Sequence, residues 1–370
     1  MATHRVANLQ LTLLCLWLHC GGLVLVTVGA AHADPKKTIN RDAVEKDFFS
    51  WVATMEQNHQ AHITADTAEM TFQDFNGGTL AAANTLVVGA GGYKTVQSAV
   101  NDAASGGSRT IIQINSGTYR EKVTVLKGKT ITFQGVNNPV IVYDDTAGSA
   151  GSTSNSASVT ILADNFIARG VTFKNSAPAP PGGAVNKQAV ALRISGDKGA
   201  FYNCAFIGAQ DTLYDQKGRH YFKDCYIEGS IDFICGDGQS LYKNCQLHSI
   251  ANPGSGSIAA QKRTGDTSTG FSFVGCTITG SGPIYLGRAW GPNSRIVFIY
   301  CNIADIIRPE GWHNWGDSSR EKTVFYGQYK CTGAGADQSK RYGWSHELTE
   351  SQAVALSSMT FIDGASWVQT

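Results

Sequence analysis

The sequence has almost no net charge and lacks the short motifs of several common enzyme classes. Its 30 lysines and arginines balance 29 acidic residues, which argues against a nucleic-acid partner, because such proteins need an excess of cations. It contains no Gly-x-Ser-x-Gly, no His-Glu-x-x-His, no phosphate-binding loop and no Cys-x-x-Cys. These absences argue against serine esterases, zinc hydrolases, nucleotide-binding enzymes and zinc ribbons. We therefore expect no metal and no organic cofactor.

Proline is also scarce, with 9 residues against 41 glycines, and only 16% of the residues are charged. This composition is typical of many short strands and tight turns, and it argues against long solvated helices. The chain from residue 34 to 370 is long enough to bury one large core and need not be split into several, and residues 85–370 are expected to form the catalytic domain.

The one long apolar run lies at the start of the chain. Residues 11–28 are uncharged, Arg5 precedes them, and Ala31-His32-Ala33 follows. This pattern predicts a secretory signal peptide over residues 1–33, with an uncleaved anchor as the alternative. No later segment is apolar enough to cross a membrane. Residues 34–84 are expected to form an N-terminal extension with a short helix near residues 44–51.

A repeat begins near residue 86. Short β-rich segments end on Asn, Asp, Gly or Tyr followed by cysteine, at Cys204, Cys225, Cys245, Cys276 and Cys301. The first two intervals between these cysteines are nearly equal and the next two are longer, which indicates coils of one size that carry loops of different length. We therefore predict an all-β fold, a right-handed parallel β-helix. The alternative, an antiparallel sandwich, needs hairpin turns such as Asn-Gly, which are largely missing.

Two acidic residues lie in apolar surroundings, at Asp211 and Asp232, with the same spacing as Cys204 and Cys225. If one coil of a solenoid separates them, they lie on neighbouring rungs. Their backbones are then about 4.8 Å apart, the spacing between adjacent strands. Gln188 precedes Gln210 by nearly the same step, so it belongs to the preceding rung. Two close carboxylates cannot both ionise easily, so one can act as an acid and the other as a nucleophile.

The acid pair alone leaves the chemistry open, because carboxylates at this separation also suit retaining glycoside hydrolysis. The neighbouring amides of Gln188 and Gln210 favour acyl transfer, because amide donors stabilise an oxyanion. A purely structural amide ladder remains the alternative for the two glutamines.

Four sequence blocks around these residues resemble the signature blocks of plant pectinesterases (pectin methylesterases). They are residues 188–193 (QAVALR), 208–214 (GAQDTLY), 229–234 (GSIDFI) and 286–290 (LGRAW). Residues 93–97 and 360–367 also match, so the resemblance runs in order from about residue 86 to residue 367. The segment before it is too short for the inhibitor-like pro-region of many plant relatives, which implies the form that lacks one.

The resemblance implies roles for the residues of the acid pair and their neighbours. Asp232 would attack the ester carbonyl and form an acyl-enzyme, and Asp211 would protonate departing methanol and then deprotonate water. Gln210, together with Gln188, would hold the oxyanion. Arg288 would pair with Asp232 and keep it charged and oriented.

The resemblance also implies substrate contacts and a cross-link. Trp290 would be a sugar platform and Tyr214 a further substrate-binding residue. Ser158 stands where the family usually has a substrate-contacting threonine. The family is known for a disulfide at the positions of Cys225 and Cys245.

Three positions depart from the family pattern. Cys235 replaces a large aromatic residue beside the cleft, Asp237 replaces an asparagine, and Lys262 stands where asparagine is common. The first two bear on substrate affinity and pH optimum, although they leave the reaction class unchanged.

The resemblance implies a secreted, monomeric carboxylic ester hydrolase of the plant cell wall. It would hydrolyse C6 methyl esters of methyl-esterified homogalacturonan and release methanol, and a proteinaceous pectinesterase inhibitor would be a possible partner. Two alternatives stay open. One is another pectin-active β-helix enzyme, a hydrolase or lyase, and the other is a catalytically impaired pectin-binding protein.

Overall fold

The strands of this chain pair in parallel, each with the equivalent strand of the next coil. The computed structural model describes residues 84–252 and 256–368. The predicted signal peptide and all but the last residue of the predicted extension lie outside these ranges. The chain visits three parallel sheets in turn, and each sheet is ordered from one coil to the next. This arrangement confirms the predicted parallel β-helix.

The first sheet has eleven strands. They are β1 Asn84–Val88, β2 Arg109–Ile114, β5 Thr130–Gly135, β8 Ile167–Arg169, β11 Gly199–Tyr202, β14 Arg219–Lys223, β17 Gln239–Lys243, β20 Gly270–Val274, β23 Arg295–Ile299, β26 Phe325–Tyr329 and β27 His346–Glu347.

The second and third sheets have eight strands each. The second consists of β3 Thr118–Arg120, β6 Val140–Tyr143, β9 Thr172–Asn175, β12 Ala205–Ile207, β15 Tyr226–Gly229, β18 Gln246–Ser249, β21 Thr277–Gly280 and β24 Asn302–Ile303. The third consists of β4 Val123–Val125, β7 Val159–Ile161, β10 Leu192–Ile194, β13 Leu213–Asp215, β16 Ile234–Gly236, β19 Ser257–Gln261, β22 Tyr285–Arg288 and β25 Trp312–His313.

Helices are few and short. They are α1 Val96–Asp102, α2 Ala147–Ala150, α3 Thr153–Ser156 and α4 Glu350–Ser357, with 3-10 turns at Ser318–Lys322, Ala334–Ala336, Met359–Ile362 and Gly364–Ser366. None of the helices in the described ranges has the length and apolar character that crossing a bilayer requires.

Aromatic side chains stack inside the solenoid at the spacing of the strands. The ring centroids of Phe201 and Phe222 are 4.8 Å apart, and those of Phe222 and Tyr242 are 4.6 Å apart. The stack continues through Phe273 and Phe298 at 4.7 Å per step. Because these residues are in register on adjacent strands, each coil packs the same kind of side chain onto the last.

The residue before each repeated cysteine forms a sharp corner between the first and second sheets. Asn203, Asp224 and Asn244 all have positive φ, between 49° and 53°. Asparagine and aspartate tolerate this left-handed conformation better than other residues that carry a Cβ. The repeated Asn/Asp-Cys pair therefore marks where each coil turns.

The expected disulfide between Cys225 and Cys245 is not formed, and both residues are buried free thiols. The Cys225 sulfur contacts Phe201 O at 3.6 Å, and the Cys245 sulfur contacts Phe222 O at 3.6 Å. The two side chains contact each other, and one strand spacing lies within the range of Cα separations that a disulfide spans. The cross-link between Cys225 and Cys245 therefore stays a prediction.

A charged pair is buried inside the coil that carries Asp211. His220 Nδ1 lies 2.5 Å from Asp215 Oδ1, and His220 Nε2 lies 2.8 Å from Gly196 O. Tyr242 donates to the other Asp215 oxygen at 2.6 Å. Both ring nitrogens face acceptors, so the imidazole donates from both and is positively charged. Burial alone would lower the pKa of His220, but the charge and hydrogen bond of Asp215 outweigh it, and the pKa is raised.

This pair predicts a pH-dependent stability. Because the folded pKa of His220 is raised, the folded protein keeps a proton that the unfolded chain releases near pH 6.5. The free energy of unfolding should be highest below about pH 6.5 and fall as the pH rises through the folded pKa. Denaturant titrations across this range measure the slope.

His220→Gln should remove that slope and lower the free energy of unfolding by about 3–5 kcal/mol, because Asp215 is left buried without its cation. His346→Gln is the matched control, since His346 is exposed. A slope that survives in His220→Gln would contradict the assignment.

Candidate active site

The outer face of the third sheet carries one column of side chains that line a cleft. Arg193, Tyr214, Cys235, Ala260 and Arg288 are successive partners on β10, β13, β16, β19 and β22. The residues just before the first four of them point into the solenoid and belong to its core: Leu192, Leu213, Ile234 and Ala259. Period-two alternation therefore separates the cleft floor from the core.

The predicted acids lie in the turns that lead into β13 and β16. Gln210 pairs in parallel with Ile231, and the Asp211 N–H donates to Ile231 O at 3.0 Å. This register places Asp211 and Asp232 on neighbouring rungs, as the spacing predicted. Both have left-handed backbones, with φ of 59° and 49°. Strained residues of this kind persist where the surrounding structure fixes them, often at functional sites.

Close packing fixes the turn before Asp232. At Gly229, a Cβ would lie 2.2 Å from the Cβ of Phe233 and 2.8 Å from Ala209 O. Only glycine allows this approach, which explains the glycine that opens the block at residues 229–234.

Asp232 is buried, with 5% of its surface exposed, and it is held from two sides. Arg288 Nε donates to Asp232 Oδ1 at 2.8 Å, and Arg288 Nη2 donates to Oδ2. The Ser257 hydroxyl donates to Oδ1 and accepts the Asp232 N–H at 3.1 Å. A two-pronged guanidinium contact both orients a carboxylate and favours its charged form.

Sequence reasoning missed Ser257. It follows Asp232 in a segment without a recognisable motif. Its position one coil after Asp232 could have indicated it. The loop between the two residues, however, makes that coil longer, so residue counting does not show which positions are paired.

Asp211 has different surroundings from Asp232. It is half-buried, and within the described residues its carboxylate has no ion-pair partner. Burial raises the pKa of Asp211 well above its usual range, and the negative charge of Asp232 raises it further. Arg288 offsets part of this rise. The acids are therefore unequal, because one has a cation and hydrogen-bond donors and the other favours its protonated form.

The two predicted glutamines belong to successive rungs, since Ala189 N–H donates to Gln210 O at 2.9 Å. The side-chain oxygen of Gln210 is buried without a hydrogen-bond partner, and its amide nitrogen makes no hydrogen bond within the described part of the chain. The nitrogen is therefore free to donate to a ligand. An unpaired buried oxygen is unfavourable, which argues against a satisfied structural ladder at this position. Gln188 is half-buried on the rung before.

Trp290 stands at the edge of the cleft floor. Its indole ring packs against Tyr214 with centroids 6.3 Å apart, and it contacts the cluster that contains Cys235 and Ala260. Arg320 donates to Ala289 O and, at 2.9 Å, to Trp290 O. Arg320 thereby fixes the backbone that carries the ring, a role that no sequence motif indicated.

The expected substrate contact of Ser158 is contradicted. Its side chain is fully buried, at 0% exposure. The hydroxyl donates to Lys174 O at 2.8 Å and accepts the Tyr143 N–H at 3.2 Å. Ser158 therefore joins neighbouring strands, and it does not face the cleft.

Cys235 and Asp237 do not replace any part of the acid pair. Burial, followed by the charges of Asp211 and Asp232, raises the pKa of the Cys235 thiol well above its usual range, so the thiol stays uncharged. The Asp237 carboxylate accepts from Gln261 at 3.2 Å and from Thr269 at 2.7 Å.

Comparison with known proteins decides the family. The Pectinesterase family profile matches residues 83–365. The chain belongs to the pectinesterase family. It is 50% identical over 290 residues to probable pectinesterase 8 of Arabidopsis thaliana, covering 75% of this chain and 74% of that relative. This confirms the resemblance and the enzyme class predicted from the sequence, a carboxylic ester hydrolase.

Solved structures confirm the fold of this pectinesterase. It is similar to the pectin methylesterase from carrot, with a TM-score of 0.72, 34% identity, and coverage of 78% of this chain and 96% of that one. It is also similar to the pectin methylesterase from Aspergillus niger, with a TM-score of 0.68, 30% identity, and coverage of 78% and 96%.

The inequality of the acids predicts how their titration responds to substitution. Asp232→Asn removes the like charge and should lower the pKa of Asp211. Arg288→Gln removes the offsetting cation and should raise it. Carbon-detected NMR of labelled aspartate carboxyl groups measures both shifts.

Asp237→Asn is the control, since that carboxylate bonds to Gln261 and Thr269 and is not a source of the Asp211 shift. An Asp211 pKa that is unmoved in both test variants would show that the three groups are not coupled.

Proposed function

We propose that this chain hydrolyses the C6 methyl esters of pectin, with Asp232 as nucleophile and Asp211 as general acid and base. The observation that carries the proposal is the unequal pair. One buried carboxylate is held by Arg288 and Ser257, and its neighbour on the next rung has a raised pKa. Such a division suits covalent ester hydrolysis.

In the first half of the reaction, an Asp232 oxygen attacks the ester carbonyl carbon. The carbonyl π electrons move to oxygen and form a tetrahedral intermediate. As this intermediate collapses, the bond to the methoxy oxygen breaks, and Asp211 gives that oxygen its proton. Methanol leaves, and the sugar is joined to Asp232 as an acyl-enzyme.

In the second half, the ionised Asp211 takes a proton from water as the water attacks the acyl carbon. The bond to Asp232 breaks, the free acid of the sugar departs, and both aspartates return to their starting states. A carboxyl that is protonated in the resting state suits both tasks in turn.

The Gln210 amide nitrogen supplies the electrophilic assistance, together with Gln188 on the rung before. A donor that is already in place costs no reorganisation when negative charge develops on the carbonyl oxygen. The Gln210 amide nitrogen has no hydrogen-bond partner among the described residues, which supports this role because that nitrogen stays available to the ester.

Methyl-esterified homogalacturonan is the substrate in this proposal, and Trp290 and Tyr214 are the sugar platforms. The names of the pectinesterase and pectin methylesterase relatives support the substrate. Secretion to the plant cell wall, a signal peptide over residues 1–33, an extension over 34–84 and a catalytic domain over 85–370 belong to the same proposal. So do a monomeric state and sensitivity to a proteinaceous pectinesterase inhibitor.

Substitution of the acids tests the assigned roles. Asp232→Asn should reduce methanol release from highly methyl-esterified pectin by about 10⁴-fold or more. Asp211→Asn should reduce it by about 10²–10⁴-fold. Asp305→Asn, which removes an exposed acid, is the control, and thermal unfolding checks that each variant folds. Ordinary methanol release by either test variant would refute its assignment.

Truncation of Gln210 tests the oxyanion role. Gln210→Ala should reduce kcat by about 10²–10³-fold, the usual effect of removing one such donor. Gln113→Ala is the matched control, because Gln113 lies on β2 of the first sheet. A loss below about threefold would favour the amide-ladder interpretation over an oxyanion donor.

A further inference from the structure

Lys262 brings a positive charge to the platform at the edge of the cleft. It directly follows β19, and its N–H donates to Gly236 O at 2.7 Å. At Gly291, next to Trp290, a Cβ would lie 2.5 Å from Lys262 O, so the two backbone segments touch. This fixes the base of the lysine side chain beside the indole ring.

The ammonium group lies over the ring. Lys262 Nζ is 4.6 Å from the Trp290 ring centroid, and Lys262 is exposed. A cation–π contact of this kind holds the side chain in place without neutralising its charge. The N–H groups that point away from the ring therefore stay available to an acceptor bound beside it.

Other cations of the cleft floor already have partners. Arg288 binds Asp232, and Arg193 Nε donates to Gln216 at 2.6 Å. Among the described residues, no carboxylate forms an ion pair with the Lys262 ammonium. Lys262 thus offers an uncompensated cation beside the Trp290 ring.

The substrate offers a matching group. Each turnover converts a neutral methyl ester into a carboxylate on the polymer, so a partly processed chain carries anions next to the esters that remain. A cation beside the platform attracts such an anion and gains nothing from the methyl ester. The position of the Lys262 ammonium would therefore let the enzyme distinguish a neutral methyl-esterified sugar from a negatively charged one.

We propose that Lys262 is a specificity residue that binds the free carboxylate of a galacturonate adjoining the ester to be hydrolysed. The inference rests on the proposed function. Binding of that carboxylate by Lys262 makes a methyl ester next to a free carboxylate a better substrate than a methyl ester whose neighbours are also esterified.

Two oligogalacturonides of equal length test this, one fully methyl-esterified and one with half of its residues as free acids. Lys262→Met keeps the aliphatic stem on Trp290 and removes the charge. It should lower kcat/KM per ester on the half-esterified oligomer by about twofold to fivefold more than on the other, the range of an exposed ion pair. About 0.5 M salt should abolish this difference between the two oligomers by screening the charges. Lys262→Arg, which keeps the positive charge, should behave like the unsubstituted protein.

Lys127→Met is the matched control. Lys127 is an exposed lysine just after β4, five strands from β19 in the third sheet, or about 24 Å at strand spacing. It should leave the ratio of the two kcat/KM values unchanged. Equal losses on both oligomers in Lys262→Met, or an unchanged ratio, would overturn the proposal and leave Lys262 as a support for the ring.

A binding measurement separates this inference from the proposed function. Calorimetry with fully de-esterified oligogalacturonate needs no turnover, and Lys262→Met should weaken its binding by about twofold to fivefold at low salt. Equal binding by both proteins would overturn the inference. Failure of the unsubstituted protein to release methanol would instead overturn the proposed function.

Discussion

The parallel stacking of coils is the constraint on which the rest of this structure depends. Each coil donates its backbone hydrogen bonds to the next, so equivalent positions are held at strand spacing along the solenoid. The pairings of Gln210 with Ile231 and of Leu213 with Ile234 are steps of that ladder, and they bring Asp211 beside Asp232. Arg288 and Ser257 reach the same carboxylate from later coils. A slip of one residue in one pairing would turn alternate side chains to the other face and take the site apart.

Once the acids are neighbours, their surroundings set their roles. Two carboxylates at strand spacing repel each other, and the arrangement of donors decides which one ionises. Asp232 receives the guanidinium of Arg288 and the hydroxyl of Ser257, whereas Asp211 receives neither. Burial and the charge of Asp232 therefore raise the pKa of Asp211, and Arg288 offsets only part of that rise. Two aspartates in equivalent places on neighbouring coils thus become unequal through the contacts of later coils.

The repeat explains why the fold and the acid pair were predictable from the sequence. The Asn/Asp-Cys corners and the nearly equal steps between the first of them report a local backbone geometry that recurs in each coil. Contacts set by side-chain direction were not predictable in this way. Ser158 has the right residue type, but its buried hydroxyl bonds to the backbone of Tyr143 and Lys174. Ser257 and Arg320 act across loops of irregular length, where counting residues loses the register.

The three departures from the family pattern lie outside the acid pair. Cys235 lies between Tyr214 and Ala260 in the cleft floor. Burial and the negative charges around it keep its thiol neutral, so it adds no rival nucleophile. Asp237 is held by Gln261 and Thr269. Lys262 contacts the platform ring and no part of the acid pair. The solenoid keeps these functions apart, because the acids lie in turns before their strands whereas the floor is made by the strands themselves. Floor residues can therefore change with the substrate while the acids stay in register.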